Sequence, residues 1–357
     1  MNAIKQTQGA LPDENHSAEP ESTRTRLPHL IYLAGVPRTG STVLGRMLGS
    51  IPGAIFTGEL NLFWSRFADG ELCSCGQPLQ KCQFWSAVIS EGFGNLRPED
   101  ARNLERLERT LRQRQKISLP LPARRKIVKS EHFRALADAR MQLYRSIAEV
   151  AQVSWIVDSG KDPWFGMLFS CLYENNFDTV HIVRDPRGVA FSKTKSVKSD
   201  SEPRYLPRRP PVMAAFTWLV ENLVIQIALK RQSASYIRIR YEDLAADPEA
   251  VIREVAHSMK IGVGQEAHGK SEEHEYYFHW VAGNPGVRQA GNSQLQIRLD
   301  EEWRYRLSLV QRLLVTVICA PLLPSYGYAF TATRRGISTI RRGGVARNSQ
   351  QRPALRG

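Results

Sequence analysis

The stretch Gly35-Val36-Pro37-Arg38-Thr39-Gly40-Ser41-Thr42 follows the phosphate-loop pattern G-x-x-x-x-G-K-[ST] with one departure: Ser41 stands where the lysine belongs. Glycines at these positions let backbone N–H groups curl around a phosphate, and the helix that follows turns its positive end toward the anion. The absent lysine is the group that reaches the outer phosphates of a nucleoside triphosphate. A loop without it retains a grip on a 5′-phosphate and loses one on a triphosphate tail. The flanks agree with this reading. His29 to Ala34 is a short apolar run of strand type entering the loop, and Val43, Leu44, Met47 and Leu48 then share one helical face. Gly49 to Gly53, with Pro52, ends that helix. Strand, glycine turn and helix in this order separate a phosphate loop from an ordinary Gly-rich turn.

Working outward, further strand-like runs occur at 54–57, 153–157, 179–183 and 235–240. Helical patterns lie between several of them. Leu104, Leu107 and Leu111 mark an amphipathic helix, Met213 to Leu229 is apolar on nearly every side and is expected to be buried, and Trp303, Leu307, Val310, Leu314 and Val317 mark one more helix. Alternation of this kind predicts an α/β, P-loop-like three-layer fold, a mostly parallel central sheet flanked by helices. Ligands of such sheets bind beyond the carboxyl ends of the strands. The expected organisation is an N-terminal tail over 1–26, one domain over 27–330 with a Cys-containing insert at about 70–125, and a basic tail over 331–357. Both tails are expected to be disordered. Lys195 to Pro211 and Gly262 to Asn284 lack periodicity and have the length of functional loops.

Charge is unevenly placed. The chain of 357 residues carries a net +14, but Thr331 to Gly357 holds seven Arg and no acidic residue, leaving about +7 on the rest. That balance suits an anionic ligand. Nothing in it points to nucleic acid, and the basic tail offers at most a weak membrane-surface contact. Residues 1–26 have no apolar core of a secretory signal, and Leu313 to Leu323 is too short to span a bilayer; it reads as a buried helix ending at Pro321 or Pro324. Five cysteines, an odd number, without a signal fit a reducing compartment, so a cytoplasmic location is expected.

Three strand ends carry the remaining chemistry. The first is Thr57-Gly58-Glu59, whose carboxylate either serves as a general base or is a first-turn glutamate favoured by the helix dipole. The second, Val157-Asp158-Ser159-Gly160-Lys161-Asp162-Pro163, puts Lys161 just past a buried strand, aimed at the cleft beside the loop or simply at solvent. The third strand end is Arg184-Asp-Pro-Arg187-Gly188, and Ser192 follows eight residues after Arg184. A guanidinium fork and a hydroxyl can close on one phosphate from two sides. Without the phosphate loop this would be an Arg–Asp turn before a helix; with it, a second anion clamp is the better reading.

At this point the chain resembles the sulfotransferases that use 3′-phosphoadenosine 5′-phosphosulfate. The resemblance runs from about Leu30 to Tyr328. It rests on the G-V-P-R-T-G-S-T loop, V-D-S-G-K-D-P, H-I-V-R-D-P-R-G-V-A-F-S, Tyr241-Glu-Asp-Leu244 and, later, Gly283-Asn-Pro-Gly-Val-Arg288. The late segment looks like that of the bacterial branch; the loop, the Gly-Glu and the Lys-Asp-Pro look most like the tyrosylprotein sulfotransferases. The resemblance implies that Arg38, Thr39, Gly40, Ser41 and Thr42 hold the 5′-phosphosulfate and that Arg184 and Ser192 hold the 3′-phosphate. It also implies Tyr241 near the adenine, Arg288 closing on the nucleotide, Lys161 on the bridging oxygen and Glu59 as base. Cytosolic members use a histidine in the segment where Lys161 falls, and this chain has none there. The implied reaction moves a sulfuryl group to an acceptor hydroxyl of a carbohydrate, lipid, small molecule or tyrosine. The alternatives are a P-loop kinase or nucleotide hydrolase, disfavoured by Ser41, and a non-catalytic nucleotide-binding protein.

Cys73-Ser-Cys75-Gly and Cys82 form a separate group. Three thiols so close supply part of a zinc site, but no fourth ligand stands nearby. They are read as a structural insert beside the acceptor cleft, with no metal expected. His181 is expected in the core; His274 and His279 read as polar residues of the long late loop.

Overall fold

A central strand buried on both faces organises the molecule. In β1 (His29–Ala34), Leu30, Tyr32 and Ala34 join the apolar cluster on one face of the sheet, while Ile31 and Leu33 join the cluster on the other. Burial on both faces is what a parallel sheet covered by helices requires. The computed structural model describes residues 27–117, 129–173, 176–195, 208–261, 281 and 299–330. Both expected tails, Arg288, His274, His279 and most of the two long aperiodic stretches lie outside the described residues.

The five strands are β1, β2 (Ala54–Gly58), β3 (Trp155–Lys161), β4 (Phe177–Val183) and β5 (Tyr236–Arg240), in the spatial order β2-β3-β1-β4-β5. All four pairings are parallel. The chain winds outward from β1 to one side through β3 and β2, and to the other through β4 and β5. The loop after β1 therefore emerges where the winding reverses, the position at which such sheets bind ligands. Every expected strand is present. β3 runs on beyond 157 to Lys161, so the lysine is the last residue of the strand rather than part of the turn after it.

The helices are α1 (Ser41–Gly49), α2 (Phe63–Ala68), α3 (Gln83–Phe93), α4 (Pro98–Ile117), α5 (Glu131–Ala151), α6 (Pro163–Phe169), α7 (Pro186–Thr194), α8 (Pro211–Val224), α9 (Tyr241–Ala246), α10 (Pro248–Met259), α11 (Trp303–Arg306) and α12 (Leu309–Cys319). Pro occupies the first turn of α6, α7, α8 and α10, where its missing N–H is no loss. A π segment, Ile225–Leu229, continues α8.

Two expectations about apolar helices are corrected. Met213 to Leu229 is buried on one side only: Ala214, Ala215, Trp218, Asn222 and Ile225 face the core, while Met213, Phe216, Val220, Leu223 and Ile227 are exposed at 41–56%. The helical stretch Pro211–Gln232 is long and apolar enough to cross a membrane by length and composition, yet its inner face belongs to the core. The stripe from Trp303 to Val317 is not one helix. Ser308 caps α12 with a full capping box to Gln311, which restarts the helix in a new phase. Trp303 and Leu307 remain buried, whereas Val310, Leu314 and Val317 turn outward, as does Leu313 of the segment expected to be buried.

Candidate active site

The phosphate loop is held from below by β4. A Cβ on Gly35 would meet the Ile182 carbonyl oxygen at 2.4 Å, so only glycine permits this approach. Arg38 and Gly40 both have left-handed backbones, with φ of 82° and 87°. The Thr39 hydroxyl donates to the Val36 carbonyl at 2.9 Å and closes the turn. α1 starts at Ser41 with no side-chain cap and no acidic residue in its first turn. Its N-terminal end, with Thr42, thus faces an incoming anion without a competing carboxylate.

The second clamp meets the loop directly. Arg184 follows the last residue of β4 and donates from Nη1 to the Arg38 carbonyl at 3.1 Å. Ser192, on α7, accepts from Arg38 Nε at 3.2 Å. The Arg184 guanidinium lies 4.6 Å above the centre of the Tyr241 ring, and that ring packs on Gly40, where an added Cβ would meet Cδ2 at 2.7 Å. Arg38, Gly40, Arg184, Ser192 and Tyr241 thus share one locus. The Arg38 side chain reaches Ser192, a residue expected at the 3′-phosphate. Its pKa is lowered by burial and then by the neighbouring charge of Arg184. Two guanidinium groups this close suit an anion, with Asp300, 3.4 Å from Arg184, offsetting part of their charge.

On the other side of the loop, β3 and β2 deliver a charged pair. Lys161 pairs with Ala34 in register, and its carbonyl accepts from the Gly35 N–H at 3.3 Å, which ties the lysine to the start of the loop. Its backbone is left-handed, with φ of 60°. The Lys161 ammonium donates to Glu59 Oε1 at 2.5 Å, and both side chains are mostly buried. Glu59 precedes the short 3₁₀ turn Leu60–Leu62, and its N–H donates to the Val281 carbonyl at 2.9 Å. The two residues expected to act at the reacting centre are therefore in contact, at the ends of the first and second strands beside β1.

Several supporting groups escaped the sequence reading. Asp158 is fully buried and accepts from the Tyr144 hydroxyl at 2.7 Å, the Gly160 N–H at 2.8 Å and the Leu60 N–H at 3.3 Å. Burial pushes its carboxyl up to about 6, against the Tyr144 hydroxyl and the Arg140 charge. It fixes the turns that carry Glu59 and Lys161. Arg140 lies beneath, paired with buried Glu108 and bonded to the Leu60 carbonyl at 2.8 Å. Asp300 accepts from Lys195 at 3.3 Å and lies 3.4 Å from Arg184. Burial raises its carboxyl, but the Glu302 N–H and the cations of Arg184 and Lys195 outweigh that and hold it below the ordinary value. Asp158 had a signal, since it lies in the quoted V-D-S-G-K-D-P run. Asp300 and Arg140 had none, because only the fold brings them here.

Residues 28–263 match a family model described as the sulfotransferase family. Similar solved structures include a sulfotransferase domain from the curacin biosynthetic pathway, with 18% identity, a TM-score of 0.39, and 85% of this chain and 99% of that one covered. Another is sulfotransferase STF9 from Mycobacterium avium, with 13% identity, a TM-score of 0.45, and 85% and 78% covered. Sulfotransferase STF1 from Mycobacterium tuberculosis H37Rv has 15% identity and a TM-score of 0.39, with 70% and 72% covered. No curated protein matches the chain.

Proposed function

Because this chain belongs to the sulfotransferase family, we propose that it moves a sulfuryl group from 3′-phosphoadenosine 5′-phosphosulfate to an acceptor hydroxyl. One observation carries the reading: Arg184, Ser192 and Arg38 converge beside the Gly40 turn while the Lys161–Glu59 pair stands on its other side. An anion-binding locus at each end suits a nucleotide phosphorylated at both its 3′ and 5′ positions.

The chemistry then follows from position. Sulfuryl transfer, like phosphoryl transfer, runs in line between two oxygens, and the protein supplies orientation and electrostatics. The loop N–H groups and the α1 end hold the 5′-phosphosulfate, with Thr39, Ser41 and Thr42 adding hydroxyls. The acceptor oxygen bonds to sulfur as the bond from sulfur to the phosphate oxygen breaks. The electron pair of that bond leaves with the bisphosphate nucleotide, where Lys161 stabilises the bridging oxygen. The acceptor proton passes to Glu59, which the Lys161 contact keeps beside the reacting centre. Arg184 and Ser192 hold the 3′-phosphate, Tyr241 supports the adenine end through its stack on Arg184, and Arg288 closes over the nucleotide. No step calls for a metal, since there is no triphosphate to neutralise. The acceptor is a carbohydrate, lipid, small-molecule alcohol or tyrosine, because such specificity resides in loops with no readable code.

Calorimetric titration with 3′-phosphoadenosine 5′-phosphate, followed by an acceptor screen with a labelled sulfate donor, tests this reading. Binding of the bisphosphate without Mg²⁺ is expected. Binding of ATP with Mg²⁺ and none of the bisphosphate would instead place the chain with nucleotide-triphosphate enzymes.

A further inference from the structure

The sulfur atoms of Cys73, Cys75 and Cys82 all lie within 4.8 Å of one another. Sequence alone could not establish that, because six residues of undetermined path separate Cys75 from Cys82. The fold brings them together in two pieces. The first is a tight turn: the Cys73 N–H donates to the Gln77 carbonyl at 2.8 Å, the Gly76 N–H donates to the Cys73 carbonyl at 2.9 Å, and Leu72 bridges Pro78 antiparallel. Gly76 takes a left-handed φ of 86° at the tip. The second is the start of α3, where Cys82 is the N-cap residue. A sulfur there sits at the positive end of an eleven-residue helix.

Other details point the same way. The Gln77 backbone N–H lies against the Cys75 sulfur and the Trp85 backbone N–H against the Cys82 sulfur. Backbone N–H groups directed at sulfur are the outer support that orients thiolate ligands of a metal. Cys73 and Cys82 are fully buried, while Cys75 is exposed, so the group has a dry floor and one side open to solvent. A tetrahedral zinc with sulfur at about 2.3 Å sets its ligands about 3.8 Å apart, so only a small contraction separates this arrangement from a coordination shell.

We propose that Cys73, Cys75 and Cys82 form a tri-thiolate site for a thiophilic divalent cation of the zinc class, with its remaining position on the solvent side. Among the described residues no fourth His, Cys, Asp or Glu joins the three. The site is structural. The backbone of Cys73 bridges Val281, Val281 also bridges Gly58, and the Val281 carbonyl accepts the Glu59 N–H. A cation on the sulfurs would lock the turn whose backbone holds Val281 against the end of β2. The inference does not depend on the transfer reaction proposed above.

The test uses the full chain purified under reducing, chelator-free conditions, with metal measured by plasma mass spectrometry and thiols by a chromogenic reagent. The expected result is about one zinc per chain, its release by a mercurial in step with three reacting thiols, and, after exchange, the near-ultraviolet sulfur-to-cobalt charge-transfer absorption. Cys75→Ser, at an exposed position, should fold, bind zinc at least about tenfold more weakly and lose that absorption. Cys171→Ser, outside the cluster, should change none of these. Folded wild-type protein that holds no stoichiometric zinc after incubation with zinc and desalting would overturn the proposal. So would a disulfide among the three thiols in freshly isolated protein, or Cys75→Ser retaining full occupancy.

Discussion

In the proposed reaction, Lys161 belongs to the chemistry and Arg184 to nucleotide binding. Lys161 touches Glu59 and the start of the loop, while Arg184 touches Arg38, Tyr241 and Asp300. A donor aimed at charge that develops only in the transition state is worth about 2.7–4 kcal/mol. Lys161→Ala is therefore expected to lower turnover roughly 10²- to 10³-fold while bisphosphate nucleotide affinity stays within a few-fold. Arg184→Ala is expected to weaken that affinity by at least tenfold, about 1.4 kcal/mol. Steady-state kinetics and calorimetry on the two variants decide the matter; the reverse assignment of effects would remove Lys161 from the reacting centre. Asp300 adds a detail at the same scale. Its carboxylate sits where Arg184 and Lys195 would otherwise both face an incoming phosphate, so it tempers the cationic clamp.

At the scale of elements, α8 puts its two faces to different uses. Trp218 is fully buried and donates from Nε1 to the Arg184 carbonyl at 3.0 Å, whereas Val220, two residues on, is 50% exposed. Trp218→Ala should cost about 3–5 kcal/mol in urea unfolding, and Val220→Lys within about 0.5 kcal/mol of nothing. An equal loss from both would mean that the outer face is covered. β4 supplies a pH effect. His181 is fully buried between the Tyr236 hydroxyl and Asn222 Oδ1, each at 2.7 Å. Burial lowers its pKa from 6.5 to about 3, opposed by the Asn222 bond. Between those values the unfolded chain holds the extra proton and the folded one does not, so this contribution is complete above about 6.5 and is lost as pH falls toward 3. The slope is at most about 1.4 kcal/mol per pH unit. Unfolding midpoints compared at about pH 7 and about pH 5 should show wild type losing more than His181→Gln; parallel losses would refute a neutral, buried imidazole.

The same elements mark how far sequence reached. All five strands, the loop and the start of α1 were legible, because each is written in a local pattern of glycine or β-branched residues. The outward turn of Val310, Leu314 and Val317 was not read, although the S-x-x-Q box at Ser308 was there to be seen. Periodicity shows that a helix has an apolar side; it does not say whether a neighbour covers it. The contacts of Asp158, Asp300 and the three sulfurs depend on where separate strands and turns end, and no local pattern encodes that.

Across the whole molecule, the two halves of the site lie on either side of the point where the winding reverses: β3 and β2 bring Lys161 and Glu59, β4 and α7 bring Arg184 and Ser192. A nucleotide held at both ends would staple these halves together. At a hundred times its dissociation constant, 3′-phosphoadenosine 5′-phosphate should stabilise the folded chain by about 2.7 kcal/mol, a rise of several degrees in Tm. Adenosine, with neither phosphate, should leave Tm unchanged. β2 is the outermost strand on its side of the sheet, and an unpaired rim of that kind is a template on which a neighbouring molecule can add a strand. Val281 occupies the end of that rim, its N–H bonded to the Thr57 carbonyl and its carbonyl to the Glu59 N–H, each at 2.9 Å. The residue bonded to the Glu59 N–H therefore also occupies backbone groups at the end of that edge.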